Sequence, residues 1–291
     1  MILNISGRTD VCAFYSKWLE NRLNQGFFDV RNPFNPSMVS RIYEEDIDLY
    51  VFCTKNPLPV IPLLKDIKKP IYFMVTLTGY HRDIEVNVLN KKDILEGIKE
   101  ISRMLGKNNI VVRYDPILLN PTYNVEYHLK ALDNLMESLN GYVEEIIFSF
   151  MDNYKNVRKN YLEMNCHEPK EDELIKLAQG FMKLGLKHKI HLKSCLEDEY
   201  LKYGFHRGEC ISKELAYRLT SKTFRKWSER DCGCRQIVDI GVYNSCPHRC
   251  KYCYANFNED EIKKNMELHD PNSSLLIGNI KKTDTIKIRR K

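Results

Sequence analysis

Hydrophobic positions along the chain alternate between two rhythms. Short runs rich in β-branched and aromatic residues occur at Ile2–Ser6, Leu49–Thr54, Ile71–Leu77, Ile110–Tyr114, Glu145–Phe150, Ile190–Ser194 and Ile237–Tyr243, each of strand length. Between them, apolar residues recur at helical steps. Val11, Phe14, Tyr15, Trp18, Leu19 and Leu23 form one stripe behind Thr9 or Asp10, either of which can cap it. Ile94, Ile98, Ile101 and Leu105 mark a second helix. Val125, His128, Leu129, Leu132, Leu135, Met136 and Leu139 mark a third, and Leu174, Ala178, Phe181 and Met182 a fourth. Gly106, Gly141 and Gly185 stand near the ends of three of them, where a left-handed residue is wanted.

Strands separated by helical crossovers point to a parallel α/β sheet, open or rolled up. We expect a single parallel (β/α) barrel of six or seven strands over residues 1–255, followed by a C-terminal extension, 256–291, with a basic tail. The stretch from Glu197 to Arg235 holds one helical segment, Ser212–Trp227, between Gly- and Cys-bearing loops. The loop Phe27–Asn35 is a candidate lid or an ordinary connection.

Composition narrows the class. With 291 residues, 43% hydrophobic and 29% charged, the chain can bury a large core and is not disordered. No apolar run approaches the roughly 18 residues that a membrane helix needs. Arg8 and Asp10 interrupt any signal-peptide core in MILNISGRTD, so a cytoplasmic protein is expected. The net charge of +6 resides mostly in the tail, where Lys281, Lys282, Lys287, Arg289, Arg290 and Lys291 face only Asp284. A nucleic-acid substrate is therefore not expected.

Ten cysteines change the picture more. Cys246, Cys250 and Cys253 are spaced C-x3-C-x2-C directly after a strand, as CPHRCKYC. Three thiolates on one tight loop can hold three irons of a 4Fe–4S cube and leave the fourth open. The alternative is structural zinc with His248 or Cys234 as fourth ligand. His248, Arg249 and Lys251 are placed to offset a cluster's negative charge. Cys232 and Cys234 lie just upstream; with Cys195 and Cys210 they can form a second set of four, for an auxiliary 4Fe–4S cluster, zinc or no metal. Cys12, Cys53 and Cys166 are expected to be ordinary core thiols.

The CPHRCKYC motif resembles the signature of the radical S-adenosylmethionine (SAM) enzymes, including the aromatic residue, Tyr252, just before the third cysteine. In most of that superfamily the motif follows the first strand; here it follows the last. The whole chain resembles a family of bacterial and archaeal proteins catalogued as a domain of unknown function, with its cysteines near the C-terminus. The phrases ISGRTD, FCTKNP, VRYDP, CGCRQIVDIGVYNSC and CKYCYAN carry that match.

The resemblance implies a 4Fe–4S cluster, SAM as cofactor, and a 5′-deoxyadenosyl radical that abstracts hydrogen from a polar small molecule or nucleoside. It implies an adenine contact for Tyr252 and an electron donor of the reductase, flavodoxin or ferredoxin kind. A circular permutation would reconcile the late motif with the usual barrel, placing Ser6, Gly7 and Arg8 where the methionine moiety binds. An auxiliary cluster would make sulfur insertion plausible. The competing class is a non-catalytic zinc or iron–sulfur protein binding nucleic acid through its tail.

In parallel α/β folds, function collects at the C-terminal ends of the strands. Arg8 and Asp10, Lys55 and Asn56, Thr76, Thr78 and Tyr80, Arg113 and Asp115, and Ser149 and Asp152 fall at such ends, with His191 and Lys193 in the sixth strand. Arg8, Lys55 and Arg113 are the candidate catalytic residues; Lys55, Arg113 and Lys193 suit a carboxylate or phosphate.

Overall fold

The computed structural model describes residues 1–195, 198–228 and 232–290, with 198–200 described in their backbone alone. All seven expected strands are present: β1 (Ile2–Asn4), β4 (Leu49–Thr54), β5 (Ile71–Thr76), β6 (Ile110–Ile117), β7 (Glu145–Phe150), β8 (His191–Ser194) and β10 (Ile237–Asp239). A two-residue strand, β9 (His206–Arg207), joins them in one parallel sheet of order β10-β1-β4-β5-β6-β7-β8-β9.

The expected closed barrel of six or seven strands is not formed: the sheet has eight strands and is open. One edge, β9, offers only two residues for pairing. The inner face is instead covered by the cysteine-bearing segment around α7 (Lys213–Thr220). Ile2, Leu49, Val51, Tyr72, Met74, Val111 and Ile147 pack there with Cys195, Ile211 and Ala216. The opposite face, with Leu3, Phe52, Phe73, Val75, Val112 and Phe148, meets the long helices. Both faces are dry, which is why the strands read as nearly continuous apolar runs.

The helices follow the sequence stripes closely. Asp10 accepts from the Ala13 N–H and starts α1 (Val11–Phe14), which passes into α2 (Ser16–Gln25). Asn90 and Asn124 cap α3 (Lys91–Leu105) and α4 (Val125–Leu139) in the same way. A short α5 (Arg158–Glu163) precedes α6 (Glu171–His188). That helix runs through Gly185 and closes on Lys189, which takes the left-handed conformation expected of the glycine.

The candidate lid Phe27–Asn35 is largely strand. β2 (Phe27–Arg31) pairs antiparallel with β3 (Met38–Tyr43), and β11 (Thr285–Ile288) adds to β3 in parallel. Phe28 is fully buried beside Trp18, and the buried Asp29 holds Arg41 at 2.7 Å. Charged residues alternating with Phe28 and Val30 disguise this strand in the sequence.

The extension is folded onto the rest of the chain. Its helix α8 (Glu259–Glu267) leads to a loop whose Ser273 carbonyl accepts the Trp18 indole N–H at 2.8 Å, and Leu275 and Leu276 are buried. The basic tail is stitched down as well: Arg290 pairs with Glu45 and Asp46, and Asp284 pairs with Arg31. Lys291 lies outside the described residues. Among the described residues, no helix is long and apolar enough to cross a membrane.

His128, fully buried on α4, accepts from the Tyr114 hydroxyl and donates to the Leu118 carbonyl, both at 2.9 Å. Burial lowers its pKa from 6.5 to about 4. The folded state therefore refuses a proton that the unfolded chain accepts, so this residue costs stability as pH falls through that window. Denaturant titrations at pH 7 and pH 4.5 should show His128→Gln losing less stability on acidification than the wild type, by on the order of 2–3 kcal/mol.

Candidate metal and cofactor site

The parallel pairing of β10 with β1 aligns Ile2 with Ile237, Leu3 with Val238 and Asn4 with Asp239. The residues just beyond both strands therefore meet. Asp239 accepts the Gly7 N–H at 2.9 Å and the Gly241 N–H at 3.0 Å, and pairs with Arg8 Nε at 2.6 Å. A Cβ on Gly7 would stand 2.6 Å from the Asp239 carboxyl carbon, so only glycine allows this approach. Arg8 also lies over the Tyr243 ring. Ser6 turns its hydroxyl to the Val11 N–H at 3.0 Å and to Cys12.

The cysteine loop leaves the end of β10, and Asn256 holds its start, with Tyr15 donating to the Ser245 carbonyl at 2.5 Å. Asn256 Oδ1 accepts the N–H groups of Ser245 and Cys246, both at 2.8 Å, while its amide donates to the Arg8 carbonyl at 2.9 Å. Cys246 and Cys250 are buried and Cys253 is half-buried. The loop leans on residues 84–87: Lys251 N–H donates to the Ile84 carbonyl, and Asn87 N–H to the His248 carbonyl, each at 3.0 Å.

Burial pushes the Cys250 thiol up to about 12 and the Cys246 thiol well above its ordinary value. Asp10, and after it the neighbouring loop thiols, raise Cys246 further. As free thiols they are unreactive; an electropositive group bound between them would stabilise the thiolates. Among the described residues, no three His, Cys, Asp or Glu side chains already converge to hold a metal ion. The donor chemistry of the loop nevertheless fits a thiolate-bound cluster.

The expected counter-charges act elsewhere. His248 is buried and donates to Asp10 at 2.9 Å, and Arg249 pairs with Glu259. Asp10 also accepts from Thr54 and the Lys55 N–H, both at 2.7 Å. The positive charge beneath the loop comes instead from Lys55 and Lys91, gathered on Glu85, a residue absent from the sequence expectations. Its carboxylate is almost fully buried and binds Lys55 at 2.7 Å, Thr78 at 2.8 Å, Lys91 and the Tyr252 hydroxyl. Burial opposes its charge, but Lys55 and Lys91 outweigh burial and bring its pKa down to about 2. Tyr252 is thus anchored by its hydroxyl, and Lys55 Nζ lies 5.4 Å from its ring centroid.

Of the second set of cysteines, one pair is in direct contact and the other two lie within electrostatic reach. Cys195 Sγ lies 3.5 Å from Cys210 Sγ, and Cys210 feels Cys234, which feels Cys232 in turn. Arg113 belongs to this group: it donates to Cys210 Sγ at 2.7 Å and to Asp115, which also accepts from Ser149. The hydrogen bond from Cys195, the nearby Cys234 and the Arg113 guanidinium hold the Cys210 thiol well below its ordinary value. Cys53 lies within electrostatic reach of Arg113 and Cys210 rather than in a purely apolar setting. Lys193 pairs with Glu145, at the N-terminal end of β7. The expected trio of anion-binding cations is therefore split among three ion pairs.

A family model described as a domain of unknown function (DUF1848) matches residues 2–255. The chain belongs to that family. No curated protein and no solved structure matches it. In this DUF1848 chain, Asn256, which holds the cysteine loop, falls immediately after the matched residues.

Replacing Asn256 by Ala would leave two buried backbone N–H groups without an acceptor. The expected cost is about 2–4 kcal/mol, with faster hydrogen exchange at the loop amides of Ser245 and Cys246 and unchanged protection in the strands. Uniform loss of protection across all strands would count against this local role.

Proposed function

We propose that the protein is a radical SAM enzyme whose cluster is held by Cys246, Cys250 and Cys253. The observation that carries this reading is the position of the three-thiol loop: it leaves the C-terminal end of β10, a parallel strand paired with β1, whose own end carries Ser6, Gly7 and Arg8. Read this way, β10 serves as first strand of the fold and β1 as second, a circular permutation of the usual order on an open sheet. When bound, such a cluster would supply one electron to SAM, cleaving its C5′–S bond to give methionine and a 5′-deoxyadenosyl radical able to abstract hydrogen from substrate.

The chain's own residues divide the remaining work. Asn256 fixes the loop so that its thiols project from one rigid turn. Tyr252, pinned through Glu85, offers its ring to the adenine. The Gly7 backbone, held close by Asp239, and Arg8 line the side where the methionine moiety would bind. Lys55, just past the end of β4, would face a polar small molecule or nucleoside, and Arg113, in the middle of β6 and not at its end, would act beside Cys210. Cys195, Cys210, Cys232 and Cys234 would hold an auxiliary 4Fe–4S cluster, a source of sulfur for insertion, with Arg113 in its hydrogen-bond shell. The setting is a reducing cytoplasm with a flavodoxin- or ferredoxin-type donor.

Anaerobic reconstitution followed by dithionite reduction with SAM should yield 5′-deoxyadenosine, and Cys250→Ala should abolish it. About eight irons per chain are expected for two clusters and about four for one. Stoichiometric zinc in place of iron, or an intact reduced cluster that leaves SAM uncleaved, would sink the proposal.

A further inference from the structure

We propose that Lys55, Glu85 and Lys91 form a buried cationic cradle that sets the charge, and with it the reduction potential, of the group on the cysteine loop. The inference rests on the iron–sulfur reading above; it gives Lys91 a role there and Glu85 and Lys55 a second one.

The argument is one of charge balance. The side chain of Glu85 is 1% exposed, that of Lys55 12% and that of Lys91 32%. Two ammonium groups share one carboxylate, so the trio carries one uncancelled positive charge. Both lysines lie within electrostatic reach of Cys250, and the backbone of Glu85 bridges to that of Cys250. Other charged groups around the loop are engaged locally: Arg8 pairs with Asp239, Arg249 with Glu259 and Arg113 with Asp115, while Asp10 accepts hydrogen bonds from His248, Thr54 and the Lys55 N–H. Lys251 is half-buried within the loop itself.

A buried excess charge is expensive unless something of opposite sign sits beside it. Three thiolates around an oxidised cube leave one negative charge, and reduction adds another. The cradle therefore matches the oxidised cluster and favours the arriving electron. Because the trio is asymmetric, its members make opposite predictions. Glu85→Gln leaves two uncancelled positive charges and should raise the midpoint potential. Lys91→Met leaves none and should lower it. The double variant E85Q/K91M restores the original excess and should return toward the wild-type value.

The test is an EPR-monitored redox titration of the anaerobically reconstituted full-length protein and its variants. Opposed shifts with recovery in the double variant establish the cradle. Shifts of the same sign in both single variants, or none, overturn it while leaving the cluster itself intact. A wild-type protein that takes up no iron cluster instead overturns the functional reading, and the cradle with it. If Glu85→Gln does not fold, Lys91→Arg against Lys91→Met decides: the arginine should keep the wild-type potential, and a fall in both would point to packing instead of charge.

Discussion

β1 and β10 lie side by side, Asn4 against Asp239, although almost the whole chain separates them. The setting of the cysteine loop depends on that parallel contact. It brings Gly7 and Arg8 to the Asp239 carboxylate, and it lets Asn256 bond at once to the cysteine loop and to the Arg8 carbonyl. Three residues of strand pairing are few, and the contact does not stand alone. The extension reinforces it, because the Trp18 indole, Asn21 and Arg22 of α2 all donate to carbonyls of residues 271–273.

Buried charge is the second theme. Asp29 with Arg41, Asp10 with His248, Arg113 with Asp115 and the Glu85 trio all sit where water is scarce. Such pairs add little net stability against apolar packing, but each becomes costly when one member is removed. Their use here is positional. Asp10 caps a helix, accepts the Lys55 N–H and holds His248, so one carboxylate ties α1, β4 and the cysteine loop together. Arg113 does the same for β6 and the second thiol group.

The strands of the main sheet were legible because apolar, β-branched runs with both faces buried leave a plain signature. Leu49–Thr54 and Glu145–Phe150 have the same limits in the structure as in the sequence reading. The β2–β3 hairpin was hidden because Asp29, Arg31 and Arg41 occupy strand positions, and their ion pairing is a tertiary fact that a local pattern does not carry. The open sheet could not be read for a related reason. Closure depends on what fills the inner face, and although Ser212–Trp227 reads as helical, nothing in its local pattern says that it packs against the sheet. The cysteine loop was found by spacing, but Glu85 was not. In HRDIEVNVL it looks like any solvated acid, and only the approach of Lys55 and Lys91 from other segments marks it.

The lateness of β10 has a consequence for how the protein is made. During synthesis β1 pairs with β4 early, but its other edge waits while about 230 further residues are added. At roughly 5–20 residues per second that interval lasts on the order of 10–50 s. An open parallel edge is a template for wrong partners, and this one is only three residues long. Its brevity limits what can bind there before the proper strand arrives. The thiol loop, emerging next, finds the main sheet in place and still waits for Asn256 and the extension that hold it.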